Sequence, residues 1–82
     1  MEREEVVMKK SEIVLGGHYS NGKEGRGHSV RKVIDEGSQY KLYSAVTDTD
    51  CIRYRVIEGR GKGREGNMTR AAFAAWAKER VD

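Results

Sequence analysis

The arginines and lysines around two glycine-rich stretches are the residues of this sequence best suited to do chemistry. The second stretch, residues 59–67, reads GRGKGREGN and carries three cations at alternate positions. Glycine lets a backbone approach a partner closely, and flexible cations can each meet a phosphate or a carboxylate. With the basic residues around the first stretch and on neighbouring segments, they predict one contiguous basic surface. The predicted contact residues are Lys23, Arg26, Arg31, Lys32, Arg53, Arg55, Arg60, Lys62 and Arg64.

The charge of the chain alternates between basic and acidic blocks. Residues 16–34 sum to +3, residues 35–50 to −3 and residues 51–66 to +3, in a chain whose net charge is +3. Such blocks can fold into one basic and one acidic face, which would suit a nucleic acid or an acidic protein surface. A mixed, solvated surface is the alternative that the same blocks allow.

No residue pattern in the sequence predicts catalysis. Residues 17–23 match the spacing of a phosphate-binding P-loop, but Glu24 stands where a magnesium-binding hydroxyl is required, and its carboxylate would repel phosphates. The remaining chemically capable side chains lack the short spacing of zinc sites or an activated nucleophile. These side chains are His18, His28, Asp48, Asp50 and Cys51. We therefore expect no enzymatic activity, no cofactor, no metal and no small-molecule substrate.

The four tyrosines are candidate stacking platforms for unpaired bases. Tyrosines in a thin β-barrel are usually core residues with the hydroxyl at the rim, so Tyr19 and Tyr43 are the two that we expect to be free. No motif reads a base sequence, and the cations therefore predict contacts to phosphates.

Length and composition predict one small domain in a reducing compartment. An 82-residue chain buries only ~60% of the surface that it exposes when unfolded, so its core must be thin. The one cysteine cannot form an internal disulfide, and no apolar run approaches the ~20 residues of a membrane span. We expect a charged N-terminal stretch at 1–11, one domain at 12–82, a cytoplasmic location and no membrane contact.

Short segments between the glycines predict closely spaced antiparallel strands. In residues 51–57, apolar side chains alternate with Arg53 and Arg55, the period of a strand with one buried face. The two arginines should then project side by side. The other predicted strands cover residues 39–46, which would form a hairpin with 51–57 through a turn at 48–50, residues 29–34 and residues 17–20.

The C-terminal segment changes to a helical pattern. Thr69 is a good N-cap, Met68 and Phe73 occupy the positions of a hydrophobic staple, and the alanine-rich run that follows favours a helix over residues 69–81. Trp76 lies on the same helix face as Phe73, which predicts a structural role in the core. With four or five short strands, this segment predicts a mainly β domain: a small antiparallel barrel capped by the helix.

Four features follow one another along the chain: Gly17 with Tyr19, Arg31 with Val33, Tyr54 in its strand, and the run MTRAAFAAWA at residues 68–77. Their order is similar to that of small SH3-like barrel proteins encoded by phages and other mobile elements. The resemblance covers most of residues 12–81. It implies an SH3-like fold and a mobile-element origin, and it carries over no catalytic residue.

The expected function is binding, and the sequence leaves two classes of partner open. The first is nucleic acid, DNA or RNA, held by its backbone through residues 23–32 and 53–64. The second is a host protein, such as a defence-system or transcription component, which the domain would inhibit or recruit. The acidic residues that would compete as its contact surface are Asp35, Glu36, Asp48 and Asp50. A structural part of a phage particle is a third alternative, and we expect a monomer or a weak homodimer.

Overall fold

The fold is built on an antiparallel sheet, as the sequence predicts. A computed structural model describes residues 8–44 and 47–82. Within these residues, five strands form one open sheet in the order β4-β3-β2-β1-β5. The strands are β1 (His18–Ser20), β2 (Val30–Glu36), β3 (Cys51–Glu58), β4 (Glu65–Thr69) and β5 (Glu79–Arg80), and the helix is α1 (Arg70–Trp76). Short 3₁₀ turns cover Lys10–Glu12, Gly25–Gly27 and Ser38–Tyr40.

The connections between strands lie at the two opposite ends of the sheet. Strands β1 to β4 follow one another as a meander, whereas β5 returns to pair with β1. The ladders place Tyr19 opposite Arg31, and Arg31 opposite Val56. Because neighbouring strands run antiparallel, the β1–β2 and β3–β4 connections lie at one end of the sheet, and the β2–β3 connection lies at the other.

The core covers one face of the sheet and is centred on Phe73. Its ring lies 5.5 Å from the ring of Tyr19 in an edge-to-face contact and 5.4 Å from the ring of Trp76. The buried Tyr19 hydroxyl donates to the Glu12 carbonyl at 2.7 Å and accepts from the Val14 N–H at 2.9 Å, so it is fully satisfied. The other buried residues of this cluster are Met8, Ile13, Val33, Ile52, Ala74 and Ala77.

Strand β3 confirms the alternation in the sequence. Ile52 and Val56 are buried, and Tyr54 packs against the core. Arg53 and Arg55 project to the opposite face, which we call the outer face of the sheet, where both contact Glu65. The predicted strands at 29–34 and 17–20 correspond to β2 and β1.

The predicted strand at residues 39–46 is wrong over its described part. Ser38–Tyr40 forms a 3₁₀ turn, no strand covers residues 41–44, and residues 45 and 46 lie outside the described residues. The Tyr40 hydroxyl donates to the Asp35 carboxylate, and Leu42 is exposed, so the expected apolar face never meets the core. Strand β3 pairs with β2 and β4, and the predicted hairpin does not form over its described part, residues 39–44.

The helix is shorter than predicted because the chain after it joins the sheet. The Thr69 side chain accepts from the Ala72 N–H at 3.1 Å, which confirms the N-cap. The helix ends at Trp76, and residues 77–81 are not helical. The Lys78 N–H donates to the Ser20 carbonyl at 2.8 Å, so strand pairing along β1 supplies the backbone partners that a longer helix would have given.

Candidate nucleic-acid interface

The glycine-rich stretch at 59–64 is an ordered hairpin turn between β3 and β4. Gly59, Gly61 and Gly63 have φ values of 99°, 82° and 92°, a left-handed conformation that side chains other than glycine rarely adopt. The turn is closed by the Val56 N–H, which donates to the Arg64 carbonyl at 2.8 Å. Every second residue is therefore a glycine that bends the backbone. The exposed residues between and after these glycines are the cations Arg60, Lys62 and Arg64.

The β1–β2 loop is held by the side chain of Asn21. Its amide nitrogen donates to the Gly27 carbonyl at 2.7 Å, and its oxygen accepts from the Lys23 and Ser29 N–H groups, both at 3.2 Å. An asparagine that bonds both sides of a loop replaces backbone partners that a strand would provide. The loop thus keeps a defined path while the side chains of Lys23 and Arg26 remain exposed.

The two loops meet at one end of the sheet. Gly59 lies so close to the His28 carbonyl that a Cβ atom there would collide with it. The His28 ring is 3.7 Å from the Glu58 carboxylate, and Arg26 and Arg60 line the same surface concavity. Segments about thirty residues apart in sequence therefore bring their cations together. We call this group the basic tip; its members are Lys23, Arg26, Arg60, Lys62 and Arg64.

The charges of the basic tip are not neutralised within the part of the chain that the structure describes. None of its five members lies within 4.0 Å of a carboxylate of these residues. The nearby loop carboxylates are Glu24, which is exposed, and Glu58, which faces His28. A cluster of like charges in solvent attracts a polyanion over about one Debye length, ~8–10 Å at physiological salt.

The sequence did not single out Lys78, which borders the tip. A Cβ atom at Gly22 would lie 2.9 Å from the Lys78 Cβ, so this residue packs against the β1–β2 loop. Its ammonium group donates to the Ala75 carbonyl at 3.3 Å, near the end of α1. Lys78 lies beside the β1–β2 loop because β5 returns to pair with β1. The sequence predicted Lys78 within a helix over residues 69–81, so this position was not expected.

Arg53 and Arg55 occupy the outer face and share one carboxylate. Arg55 donates to Glu65 at 2.6 and 2.9 Å, and Arg53 donates to Glu65 at 3.1 Å and to the Asn67 side chain at 2.6 Å. These donations, chiefly from Arg55, hold the pKa of Glu65 below its ordinary value. Lys32 lies opposite Arg55 in the ladder and is half-buried. The predicted arginines are therefore side by side, as expected, but already engaged.

Arg31 lies on the core face of the sheet, apart from the other predicted cations. Its guanidinium carbon is 4.4 Å from the Tyr54 ring centroid and 4.2 Å from that of Trp76. Arg31 is half-buried in this stack. The single contiguous basic surface expected from the sequence is thus divided among the basic tip, the outer face and this stack.

A charged network around Arg70 was also missing from the sequence interpretation. Arg70 donates to Asp50 at 2.8 Å, to Glu36 at 2.6 Å and to the carbonyl of Ile13. Lys10 lies 3.5 Å from Asp50, and hydrogen bonding from Arg70 is the main cause that lowers the pKa of Asp50. The network joins segments distant in sequence, so no local pattern announced it. It occupies two of the acidic residues that had been predicted as a protein-contact surface.

The tyrosines do not form stacking platforms near the tip. Tyr19, one of the two predicted platforms, is buried with its hydroxyl bonded, so that prediction is wrong. Tyr43, the other, is 70% exposed but lies in the β2–β3 connection, at the opposite end of the sheet from the tip.

Within residues 8–44 and 47–82, no three metal-ligating side chains gather, and no helix is long and apolar enough to cross a membrane.

Comparisons with protein-family models, curated proteins and solved structures found no match to this chain. The resemblance to SH3-like proteins of phages and mobile elements therefore stays a prediction.

Proposed function

We propose that the protein binds nucleic acid without catalysing a reaction, and that the basic tip contacts the sugar-phosphate backbone. The observation that carries this proposal is the meeting of two distant loops whose five cations have no carboxylate partner among the described residues. The cations of such a cluster can replace counterions condensed along the phosphates of a nucleic acid, and the release of these counterions favours binding. Lys78 extends the surface along the β1–β2 loop.

The surroundings of the tip favour a phosphate backbone over a protein partner. Protein interfaces usually have an apolar or aromatic centre surrounded by a polar rim. The large apolar side chains exposed in the described residues all lie outside the two tip loops. They are Val14, Leu15, Leu42, Tyr43 and Val81. A tip made of cations and glycines offers electrostatic contact and close backbone approach but no apolar anchor.

The tip has no device for reading bases. Recognition of single strands generally adds aromatic platforms to cations, and residues 21–29 and 59–64 contain no Phe, Tyr or Trp. The one imidazole there, His28, faces the Glu58 carboxylate. Contacts to phosphates position a protein on nucleic acid without carrying sequence information. We therefore expect binding with little sequence preference, strong dependence on salt, and no requirement for unpaired bases.

We propose in addition that the sheet is a small SH3-like barrel. The support is a meander of four short strands, followed by a helix and a fifth strand that returns to the first. Register shifts in the β2–β3 ladder, between Val30 and Arg31 and between Val33 and Asp35, give the local bends that a curved sheet needs. A mobile-element origin and a cytoplasmic location remain predictions.

Fluorescence anisotropy with labelled single- and double-stranded DNA and RNA tests the proposed function. Titrations at about 50 mM and about 200 mM salt would compare the native protein with the Arg60→Glu/Arg64→Glu variant. Lys9→Glu/Lys41→Glu is the matched control, because it changes net charge equally through residues outside the tip loops. We expect salt-sensitive binding that the tip variant loses and the control retains.

Two results would overturn the proposal. One is no binding to any of the four probes at the lower salt concentration. The other is equal loss of binding in the tip variant and the control, since that would mean that only net charge matters. Circular dichroism of each variant must first show a native fold.

A further inference from the structure

The guanidinium of Arg31 is held rigidly in a way that the cations of the tip are not. The guanidinium carbon lies 4.4 Å from the ring centroid of Tyr54 and 4.2 Å from that of Trp76, and Phe73 backs the Trp76 ring at 5.4 Å. Contact with two rings restricts the orientation of the group and leaves its N–H edges for hydrogen bonds. An arginine fixed in this way gives up less side-chain entropy when it binds a ligand.

The hydrogen-bond donors of this guanidinium are largely unused. Its Nε atom is buried without a partner, and Nη1 approaches only the sulfur of Met68, a weak acceptor, at 3.9 Å. No carboxylate of the described residues lies within 4.0 Å of it. The two ring contacts offset part of the cost of burying this cation, but its Nε–H is left without an acceptor. A shielded Nε leaves the two Nη atoms as the edge that a ligand can meet.

The position of Arg31 connects it with the basic tip. Arg31 pairs with Val56 in the β2–β3 ladder, and Val56 donates to the carbonyl of Arg64, the residue just before β4. The backbones of Arg31 and Arg64 are thus two strands apart, about 10 Å. Because Glu65 projects to the outer face, the next residue of β4, Gly66, belongs to the same face as Arg31. Gly66 adds no side chain between Arg64 and Arg31 on that face.

We propose that Arg31 forms a second phosphate-binding site, held rigid by its two aromatic neighbours and contacting phosphate oxygens through its Nη atoms. The site itself rests on the Arg31 geometry alone. Its assignment to a nucleic-acid phosphate rests on the proposed function of the tip. A nucleic-acid strand that contacts the tip at Arg64 would reach Arg31 by crossing the start of β4.

Trp76 makes the site directly measurable, because it is the only tryptophan of the chain and its ring touches the Arg31 guanidinium. Native protein would be titrated with sodium phosphate at neutral pH, with sodium chloride of equal ionic strength as the reference. We expect a saturable change in tryptophan fluorescence with phosphate that chloride does not produce. A phosphate curve identical to the chloride curve would overturn the proposal.

The Arg31→Lys variant separates a site from a purely structural stack. Lysine keeps the charge but loses the planar fork, so the phosphate response should fall at least fivefold, while Arg80→Lys, a matched change on β5, should leave it intact. An undiminished response in a folded Arg31→Lys protein would show that phosphate acts elsewhere and overturn the proposal. If this variant does not fold, the native titration decides.

A charge-removing variant, Arg31→Gln, separates this site from the tip when a duplex oligonucleotide replaces free phosphate. Loss of this cation should lower the slope of log Kd against log salt by about one, the signature of one phosphate contact. A duplex that binds the tip with an unchanged slope in a folded Arg31→Gln protein would overturn the nucleic-acid assignment of the site. A phosphate response in a protein that binds no nucleic acid would instead retain the site and refute the proposed function.

Discussion

The basic tip and the outer face contain the same kind of residue in the same kind of pattern, yet their charges are used differently. On the outer face, Arg53 and Arg55 alternate along β3 and both contact Glu65. In the tip, Arg60 and Arg64 alternate with glycines and have no carboxylate partner among the described residues. The difference comes from the neighbouring strand: β4 places a carboxylate opposite one group and not the other.

This comparison shows that positive charge in a sequence does not measure charge that is free to bind. An arginine that donates to a carboxylate must break that contact before it binds a phosphate. The net gain in binding free energy from this exchange is small. Turn residues escape such pairing because the strands diverge there and glycines supply no partner. A basic turn is therefore a better candidate contact than a basic strand of equal charge.

Substitution of Gly59 should have the largest effect, since it removes the turn itself. Gly59→Ala forces a side chain into a left-handed conformation and against the His28 carbonyl. We expect a loss of about 2–4 kcal/mol of stability, measured by urea unfolding. Gly63→Ala is the control, because nothing lies near its added methyl group, and it should cost about 1–2 kcal/mol. Equal losses in the two variants would refute the contact with His28.

Neutralising two arginines in each region compares their binding directly. Arg60→Gln/Arg64→Gln should weaken duplex binding about tenfold at low salt, because two phosphate contacts are lost. Arg53→Gln/Arg55→Gln changes net charge equally but should weaken binding less than about threefold. Anisotropy titrations of both variants give the two values. A larger loss in the outer-face variant would reverse the assignment.

Removing the shared carboxylate should bring the outer face closer to the tip in behaviour. Glu65→Gln releases Arg53 and Arg55, and we expect duplex affinity to rise about two- to threefold at low salt, with a steeper salt dependence. Glu79→Gln makes the same change of charge on β5 and is the control. If both variants gain equally, pairing with Glu65 is not what silences the outer-face arginines.

The acid stability of the protein should carry a small contribution from Glu65. Donation from Arg55 and Arg53 lowers its pKa in the folded state below the ordinary value of 4.5. The contribution of Glu65 to stability is therefore complete above pH 4.5, the ordinary pKa, and is lost as pH falls through the lower pKa of the folded state. Urea midpoints of the native protein and Glu65→Gln should differ slightly near neutral pH and converge in acid. A gap that widens in acid would contradict this sign.

Local patterns predicted the strands well because period and burial agree in them. The alternation in residues 51–57, the short strand before Asn21 and the Thr69 cap depend on near neighbours, and each is found where expected. The grouping of Arg26 with Arg60 was expected from charge alone. That both line one surface concavity depends on the contact of Gly59 with His28, which no sequence period encodes.

The errors share a physical cause, since distant partners replaced local preference. The alanine-rich run has high helix propensity, but Glu79 and Arg80 pair with β1. The helix therefore ends at Trp76. Arg31 was expected on a basic surface, but it lies in the aromatic stack because it is two residues from the buried Val33 and so shares the core face of β2. Pairing across tens of residues can override intrinsic propensity.

The return of β5 to β1 sets the order in which the native structure can form. Arg80 pairs with Tyr19, and Glu79 pairs with Ser20, so this ladder closes across some sixty residues. Such a contact incurs the loop-closure entropy of the whole intervening chain and cannot form until the ribosome has released residue 80. The hairpin of β3 and β4, closed by its glycine turn, is free to form first. The turn that carries Arg60 and Lys62 therefore exists before β1 pairs with β5.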